Sequence, residues 1–343
     1  MKTTWISALA LAGAVIAPLP AAADELQRAF DDVFGNAPAT PRAPQYATPG
    51  QPRGFTVPRT PASPFEYQLA SLASPAQGRI GVAALDLTSG REVAVLGDQP
   101  FPLASTGKIA IVATFLEGVD QGRYHLDDMY PLMLPLPSRK LDGPRAPVRQ
   151  GTMLPAQTLI NLALERSDNH ATDAILAAIG GPPAVDRWLR KVGMAGIHLD
   201  RDIATLVRDD GIVNPATTID VRDSTTPLAM VRLLAGLYQG EWLSTQSRDV
   251  LFAAMARCAT GIRRMKAGVP GEALVGHKTG TLANTSSDVG IIRTAEGRTL
   301  AVAIYVTGQG NRPGREARIA SIARGIYEGY RPATQMAGNE VSR

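Results

Sequence analysis

The sequence predicts an α/β (α+β) fold in which an antiparallel sheet is built from both ends of the folded region, with an all-helical domain inserted between them. The first observation is a set of strand-like segments near the start and the end of this region, at about 80–87, 92–96, 273–278, 288–293 and 300–306. The second is the helical spacing of apolar residues in the long stretch between these two groups. The composition, with 45% hydrophobic and 19% charged residues, is typical of a globular chain that can bury a sizeable core.

The elements follow one another in a simple order. A short helix at about 64–73 precedes the first two strands, which are joined by Thr88, Ser89 and Gly90 as a hairpin turn. Helices separated by glycine and proline are then predicted at about 108–116, 154–164, 171–179, 184–192, 227–237 and 247–256. After the last three strands, a final helix is predicted at about 315–327.

The N-terminus has the pattern of a cleaved export signal. Lys2 precedes an apolar stretch at 5–16, and Ala21, Ala22 and Ala23 provide the small residues that signal peptidase requires. The apolar stretch is shorter than the roughly 20 residues of a membrane-spanning helix, which disfavours an uncleaved anchor. We therefore predict a signal peptide at 1–23 and a periplasmic or secreted protein without a stable membrane anchor.

A proline-rich segment follows the predicted signal peptide. Eight of the chain's 26 prolines lie between Pro38 and Pro64. Such a segment buries too little apolar area to fold, so 24–63 is interpreted as a Pro-rich tether rather than as a PxxP partner-binding site. The folded domain is expected at 64–332, with a sheet part at about 64–100 and 265–332 and a helical part at about 101–264, and 333–343 form a tail.

Charge and residue counts disfavour several classes of function. The net charge of +4 and the pI near 9.3 come from scattered charges, without the run of like charges that would bind nucleic acid. Cys258 is the only cysteine in the sequence, and the four histidines show neither HxH nor HxxxH spacing. We therefore expect no disulfide within the chain, no metal site and no other cofactor.

A hydroxyl and an amine lie three residues apart in the segment Pro102-Leu-Ala-Ser105-Thr-Gly-Lys108, at the start of a predicted apolar helix. Residues at this spacing lie on the same face within a helical turn. A serine becomes a good nucleophile when a base removes its proton, and a lysine desolvated beside another cation has a pKa low enough to do so. N–H groups at a helix N-terminus also suit an oxyanion. Taken alone, Ser-x-x-Lys is weak evidence, because it is usually a surface coincidence.

Two further stretches carry polar groups typical of a site. Ser167-Asp168-Asn169 follows a predicted helix, where a capping or turn role is the competing interpretation. His277-Lys278-Thr279-Gly280-Thr281 ends a predicted strand, where glycine lets a substrate backbone lie close, and a lysine and hydroxyls can bind an anionic group. Only five lysines follow the predicted signal peptide, and two of them lie in motifs, which chance does not readily explain.

In this order, the three motifs resemble the signature of class A β-lactamases and of the wider family of penicillin-recognising serine hydrolases. The resemblance runs from about 79 to 327 and includes Leu199-Asp-Arg201, Arg222-Asp223 and Thr260-Gly-Ile-Arg-Arg264. It implies a β-lactamase/transpeptidase-like fold and acyl transfer through a serine. It also implies that Arg201 and Asp223 form the ion pair that closes a loop beside the site.

The resemblance implies a role for each catalytic residue. Ser105 resembles the acylated nucleophile, Lys108 its proton acceptor, and Ser167 the proton shuttle to the leaving nitrogen. Lys278 resembles the residue that supports this shuttle electrostatically.

The resemblance also implies the substrate-binding residues. Asn169 would hold the side-chain amide of the substrate, and Gly280 would lie along its backbone. Thr279, Thr281 and Arg264 would bind its carboxylate, although a structural role for the arginine stays open. The N–H groups of Ser105 and Thr281 would form the oxyanion hole.

One position departs from the family. Class A β-lactamases carry a glutamate two residues after the arginine of Leu-Asp-Arg, and this glutamate activates the water that releases the acyl-enzyme. Here that position is Ile203, and Val207 replaces the asparagine that accompanies the glutamate. The loop from Arg201 to Arg222 is also longer than usual by roughly seven residues. An isoleucine cannot take a proton from water, so acylation should survive while the usual deacylation base is lost.

The expected function is that of an exported serine acyl-transfer hydrolase, acylated at Ser105 by β-lactams or by D-Ala-D-Ala-type peptidoglycan peptides. The lost base favours D,D-peptidase-like action, because such peptidases process stem peptides without that glutamate. A true β-lactamase that uses Asp202, Asp209 or Asp210 as a replacement base is one alternative. A sensor that binds β-lactams or muropeptides without turnover is another. We expect a monomer whose partner is a β-lactam or a stem peptide.

Overall fold

The computed structural model describes Pro61 and residues 63–331. The predicted signal peptide, the predicted tail and most of the predicted tether lie outside the described residues. Within 63–331, every helix falls short of the length or the apolar character that crossing a bilayer requires.

Five antiparallel strands form the central sheet. Two come from the start of the domain, β1 (Ile80–Asp86) and β2 (Glu92–Val95), and three from its end, β7 (Leu274–Leu282), β8 (Thr285–Arg293) and β9 (Thr299–Thr307). Their order across the sheet is β2, β1, β9, β8, β7. β1 pairs with β9, with Val82 opposite Ile304, so the two ends of the domain meet in the middle of the sheet. The predicted fold class is therefore confirmed.

Helices cover both faces of this sheet, which is why every residue of β1 is buried. The first helix, α1 (Pro64–Leu72), and the last, α10 (Arg312–Gly329), pack together on one face and share an apolar core with β1 and β9. The helix α7 (Pro227–Gln239) lies against β1, β8 and β9. Its N-cap Thr226 accepts a hydrogen bond from the Ala229 N–H, and Pro227 occupies the first turn, where its missing N–H costs nothing.

The remaining helices come between β2 and β7 in the sequence. They are α2 (Lys108–Asp120), α3 (Ala156–Glu165), α4 (Asn169–Ala178), α5 (Pro182–Lys191), α6 (Ile203–Arg208), α8 (Thr245–Ala256) and α9 (Met265–Gly268). The residues of α2 are apolar on nearly every face and ten of its 13 are buried, so this helix forms the centre of the helical part. Its first residue is Lys108, which places one end of this central helix at the motif residues.

The sequence predicted an all-helical inserted part, but the structure also contains strands there. It contains a hairpin of β4 (Met129–Pro135) and β5 (Val148–Pro155), and a short pair, β3 (Phe101–Pro102) with β6 (Ser224–Thr225). The predicted helix at 154–164 therefore begins only at Ala156, because Leu154 and Pro155 belong to β5. Pro131 interrupts β4, and the residues of both strands are half-exposed or exposed, so the alternating pattern that identifies a strand is weak here.

The long loop beside the motifs is closed by the expected ion pair, since Arg201 Nε lies 2.6 Å from Asp223 Oδ2. The loop contains α6 and is joined to the turn of the β4–β5 hairpin, residues 136–147. Ala146 N–H donates to Thr205 Oγ1 at 2.8 Å, and Leu141 N–H donates to Asp209 Oδ1 at 2.9 Å. Arg208 adds bonds to the carbonyls of Asp142 and Gly143. The loop and the hairpin turn thus form one connected wall.

Candidate active site

Ser105 lies in the 3₁₀ turn Ala104–Gly107, immediately before α2, and is half-buried. Ala104 has a φ of +47°, in the left-handed region that a residue with a Cβ seldom occupies. Such strain costs on the order of 1–3 kcal/mol and persists where surrounding structure enforces it, often at active sites. The turn therefore holds Ser105 in a fixed position at the N-terminus of a long buried helix.

Lys108 is fully buried, and its amine is directed into the turn at 167–169. Lys108 Nζ donates to the carbonyl oxygens of Ser167 at 2.7 Å and Asp168 at 3.1 Å, and to Asn169 Oδ1 at 2.8 Å. Ser105 Oγ is not among these acceptors; catalytic contacts often tighten only when a substrate binds. Burial holds the pKa of Lys108 well below its usual value, and the positive charge of Lys278 lowers it further. A neutral amine beside the serine is the form that can accept a proton.

The turn at 167–169 combines capping and site functions. Asp168 caps α4 by accepting the Ala171 N–H at 2.8 Å, so the capping interpretation holds for this residue. Its neighbours differ: Asn169 accepts from Lys108, and Ser167 Oγ accepts from Lys278 Nζ at 2.9 Å. Ser167 has a φ of +57°, a second non-glycine residue in the left-handed region beside the site. The turn thus brings Ser167 between two lysines.

Lys278 lies in β7 and is fully buried. Burial lowers its pKa to about 8, with the charge of Arg264 acting in the same direction. The sequence predicted that the lysine motif ends a strand. In the structure the whole motif lies within β7, which continues to Leu282. An ammonium group that donates to Ser167 Oγ leaves the hydroxyl proton of Ser167 free for another acceptor.

The rest of the motif occupies β7 opposite the Ser105 turn. Thr279 is buried, whereas Thr281 is exposed. Gly280 is required for a reason other than the predicted approach of a substrate. A Cβ there would lie 2.4 Å from Ser287 Oγ on β8 and 3.0 Å from Ala104 Cβ, so only glycine lets β7 lie this close to the Ser105 turn.

Arg264 is 1% exposed, and all five of its N–H donors have partners. Nη1 donates to the carbonyls of Gly280 and Ser287, and Nη2 donates to Thr281 Oγ1 at 2.8 Å. Nε and Nη2 both contact Glu316 Oε1. The arginine therefore has no free donor for a substrate carboxylate in this structure. It fixes Thr281 and β7, in line with the structural role that the sequence left open.

Replacing Arg264 with alanine is expected to reduce the free energy of unfolding by about 3–5 kcal/mol, because it leaves the partly buried Glu316 and two carbonyls without their main partner. Arg312 offers a matched control: its Nε contacts the same Glu316 oxygen, but its side chain is 60% exposed. Arg312→Ala should cost less than about 1 kcal/mol. Urea unfolding of the two variants measures both changes, and equal losses would contradict this assignment.

Ile203 is the first residue of α6 and is 3% exposed. It lines a cavity of about 310 Å³ together with Asn169, Ala204 and Val207, and residues of the hairpin turn lie across from them. The position that the resemblance assigns to a deacylation base thus carries an apolar side chain in the cavity wall beside Asn169.

The three aspartates proposed as replacement bases each have a structural partner. Asp202 caps α6 by accepting the Thr205 N–H, and Asp210 accepts the Ala283 N–H. Asp209 accepts from Arg208 Nε at 2.8 Å and Nη2 at 3.0 Å, and this pairing lowers its pKa to about 2. A carboxylate with so low a pKa is a weak base, and Asp209 also lines a different cavity from that of Ile203.

Sequence reasoning missed Asp173, a buried acid on α4. Its Oδ1 accepts the Ile203 N–H at 2.7 Å and its Oδ2 accepts the Ala204 N–H at 2.8 Å, so both oxygens fix the start of α6. Burial raises its pKa to about 6. The signal was an aspartate placed between Ala171, Ala174 and Ile175, on the apolar face of a predicted helix.

Replacing Asp173 with asparagine is expected to reduce the free energy of unfolding by about 1–3 kcal/mol, because an amide NH₂ would face a backbone N–H that then lacks an acceptor. Asp202→Asn is the matched control at the same helix start, since asparagine caps helices as well as aspartate does. Thermal unfolding of both variants tests this role. A control that loses as much stability as Asp173→Asn would argue against it.

The arrangement suits acyl transfer. A serine at a helix N-terminus, a buried lysine with a lowered pKa and a second serine between two lysines supply a nucleophile, a proton acceptor and a proton path to a leaving group. The exposed hydroxyl of Thr281, held by Arg264, lies at the open edge of the same strand.

Comparison with known proteins agrees with this chemistry. The model of the beta-lactamase enzyme family matches residues 64–330. The chain is 31% identical over 274 residues to β-lactamase CTX-M-25 of Escherichia coli, with 78% of this chain and 90% of the relative covered. It is 30% identical over 250 residues to a β-lactamase of Proteus vulgaris, covering 71% and 79% of the two chains.

Solved structures give the same result. An ancestral class A β-lactamase superposes with a TM-score of 0.66 and 35% identity, over 78% of this chain and all of the other. Both the sequence match and the shared fold extend across the sheet and the helical part. The chain therefore belongs to the beta-lactamase enzyme family and is a serine hydrolase of the class A β-lactamase-like type.

Proposed function

We propose that this protein is an exported serine acyl-transfer hydrolase, acylated at Ser105 by β-lactams or by D-Ala-D-Ala-type peptides, with D,D-peptidase-like rather than β-lactamase-like turnover. The observation that carries the proposal is Ile203, an apolar residue in the cavity wall at the position of the family's deacylation base. The sequence pattern of the first 23 residues supports export.

The acylation step is supported by the residues around Ser105. Lys108, whose pKa is lowered by burial and by the nearby Lys278 charge, takes the serine proton in its neutral form as the hydroxyl attacks the carbonyl carbon. Ser167 then passes its proton to the leaving nitrogen and regains one from the Lys108 ammonium formed in the first step, with Lys278 donating to its oxygen. Asn169, Thr279 and Thr281 bind the substrate, and the N–H groups of Ser105 and Thr281 stabilise the oxyanion.

Slow deacylation is supported by the surroundings of the cavity beside Asn169. Ile203, Ala204 and Val207 supply no group that takes a proton from water. Asp173 is the one carboxylate in this wall, and both of its oxygens already accept backbone N–H groups. A penicillin ester at Ser105 would therefore lack the glutamate with which class A β-lactamases release it.

A true β-lactamase is the second candidate, favoured by the relatives, which are named β-lactamases, and by Asp173, whose pKa of about 6 suits a base at neutral pH. In that case Asp173 would activate water by giving up one of its two backbone hydrogen bonds. A sensor without turnover is the remaining alternative carried from the sequence.

Two substrates distinguish these functions. The purified protein is incubated with a chromogenic cephalosporin and, separately, with a peptide ending in D-Ala-D-Ala. Turnover of the peptide alone, with a stoichiometric cephalosporin adduct, supports the proposal. Many turnovers of the cephalosporin would establish the β-lactamase, and a stable adduct without turnover of either substrate would establish the sensor.

A further inference from the structure

A buried polar cluster lies behind β7, on residues that the acylation chemistry does not use. It consists of Cys258, Thr260, His277 and Asp288, and it reaches the site at Thr279. Cys258 is 3% exposed, and His277 and Asp288 are fully buried. Polar groups buried this deeply are costly unless their hydrogen bonds serve the structure or the reaction.

One half of the cluster is a histidine–carboxylate pair. His277 Nδ1 lies 2.8 Å from Asp288 Oδ1, and the other carboxylate oxygen accepts the Met265 N–H at 3.0 Å. His277 Nε2 is buried, lies near the Cys258 thiol and has no hydrogen-bond partner of good geometry among the described residues. The Asp288 charge raises the pKa of His277 to about 9, despite burial, so the protonated ring places a positive charge beside the sulfur.

The other half is a chain of hydroxyl groups that ends in the site. Cys258 Sγ lies 3.3 Å from Thr260 Oγ1, which lies 2.5 Å from Thr279 Oγ1. Each threonine hydroxyl has one proton to donate. If Thr279 donates its proton to a substrate carboxylate, Thr260 must donate to Thr279, and the thiol S–H can then donate to Thr260.

The direction of this chain depends on the thiol proton. A thiolate accepts hydrogen bonds and donates none, so it draws the Thr260 proton toward sulfur. Thr279 then donates back to Thr260 and presents an oxygen lone pair to the substrate.

We propose that Cys258 is a positioning residue whose protonation, through Thr260, sets whether Thr279 donates a hydrogen bond to a carboxylate-bearing substrate. This inference rests on the proposed function, because it takes Thr279 as a binding group for the substrate carboxylate. It adds a residue that lies behind the strand and does not touch substrate.

The charges around the Cys258 thiol determine the pH at which it ionises and the hydrogen-bond chain reverses. His277 and Lys278 on β7 and Asp288 on β8 face the cluster, Arg264 lies beyond Lys278, and Lys266 on α9 donates to the Cys258 carbonyl. Burial alone would raise the pKa of the thiol, but the histidine, followed by Lys278, lowers it to about 7. The S–H form and the donating Thr279 hydroxyl are therefore present below this pH and are lost above it.

The test compares acylation of the full protein by a penicillin and by its neutral methyl ester between pH 6 and 8.5. The ratio of the two rates removes the titration of Lys108, which serves both substrates. We expect the ratio to fall by about ten-fold or more in the wild type as the thiol ionises, the loss expected for a hydrogen bond to a charged group. In Cys258→Ser the hydroxyl does not ionise, so the ratio should stay constant until Lys278 loses its proton near pH 8.

Thr260→Val is the matched control, because it interrupts the chain and leaves Cys258 in place. Its rate ratio should not change around pH 7, because Thr279 no longer has Thr260 as a competing acceptor, while ultraviolet absorbance still reports thiolate formation. The same fall in ratio in Cys258→Ser as in the wild type would overturn the inference.

A second measurement does not depend on acylation. The NMR shift of the Thr279 methyl group should follow the thiol titration in the wild type and stay constant through this range in Thr260→Val. A Thr279 shift that ignores the thiol would overturn the inference even if no substrate reacts. Absence of acylation at every pH would instead contradict the proposed function.

Discussion

A penicillin mixed in excess with the protein is expected to open one equivalent of β-lactam rapidly and then to turn over slowly. Ile203 supplies no general base, and help from such a base is typically worth about 10²- to 10⁴-fold. Acylation keeps its lysines and serines, so the ester should accumulate at neutral pH. Rapid-mixing absorbance measures the burst, and intact mass spectrometry follows the lifetime of the adduct.

Two substitutions at the same position sharpen this prediction. Glutamate and glutamine have nearly the same size, but only glutamate takes a proton from water. Ile203→Glu should therefore release the acyl group faster than Ile203→Gln does. Fast turnover without a burst in the unmodified protein would contradict the proposal and would make Asp173 the first residue to test as the base.

The adduct itself is expected at Ser105, and Ser105→Ala should abolish it completely. Ser105 lies at the N-terminus of α2 one helical turn from Lys108, whose pKa is lowered by burial, which favours the neutral amine that accepts a proton. Ser138, which lines the cavity of Ile203, offers a matched control, and Ser138→Ala should still form the adduct. Peptide mapping after penicillin treatment locates the ester, and an adduct that survives in Ser105→Ala would refute the nucleophile assignment.

The sheet could be predicted because its strands are buried and bounded by clear turns. The observed β1 and β2 begin at the predicted residues, Ile80 and Glu92, and β8 and β9 are only longer than predicted. The ion pair of Arg201 and Asp223 also follows from the sequence, since it is implied by two short motifs at the ends of one loop. Strand boundaries and short motifs of this kind can be recognised from a few neighbouring residues.

The features that the sequence did not predict depend on contacts between segments that are distant in the chain. The β4–β5 hairpin pairs strands separated by a turn of 12 residues, 136–147, and its prolines obscure the alternation. The role of Arg264 follows from Glu316, which lies 52 residues further along the chain. The purpose of Gly280 follows from Ser287 and Ala104, which meet only when the sheet has formed against the Ser105 turn.

In the wall formed by the long loop and the hairpin turn, hydrogen bonds run in both directions between the two segments. Arg208 binds Asp209 and two carbonyls of the turn, and Lys140 reaches back to the carbonyl of Asp210. Neither segment can swing outward alone, because all of these bonds would break together. Widening the cavity beside Asn169 therefore requires these hydrogen bonds to break, so they hold the loop and the hairpin turn at their present separation.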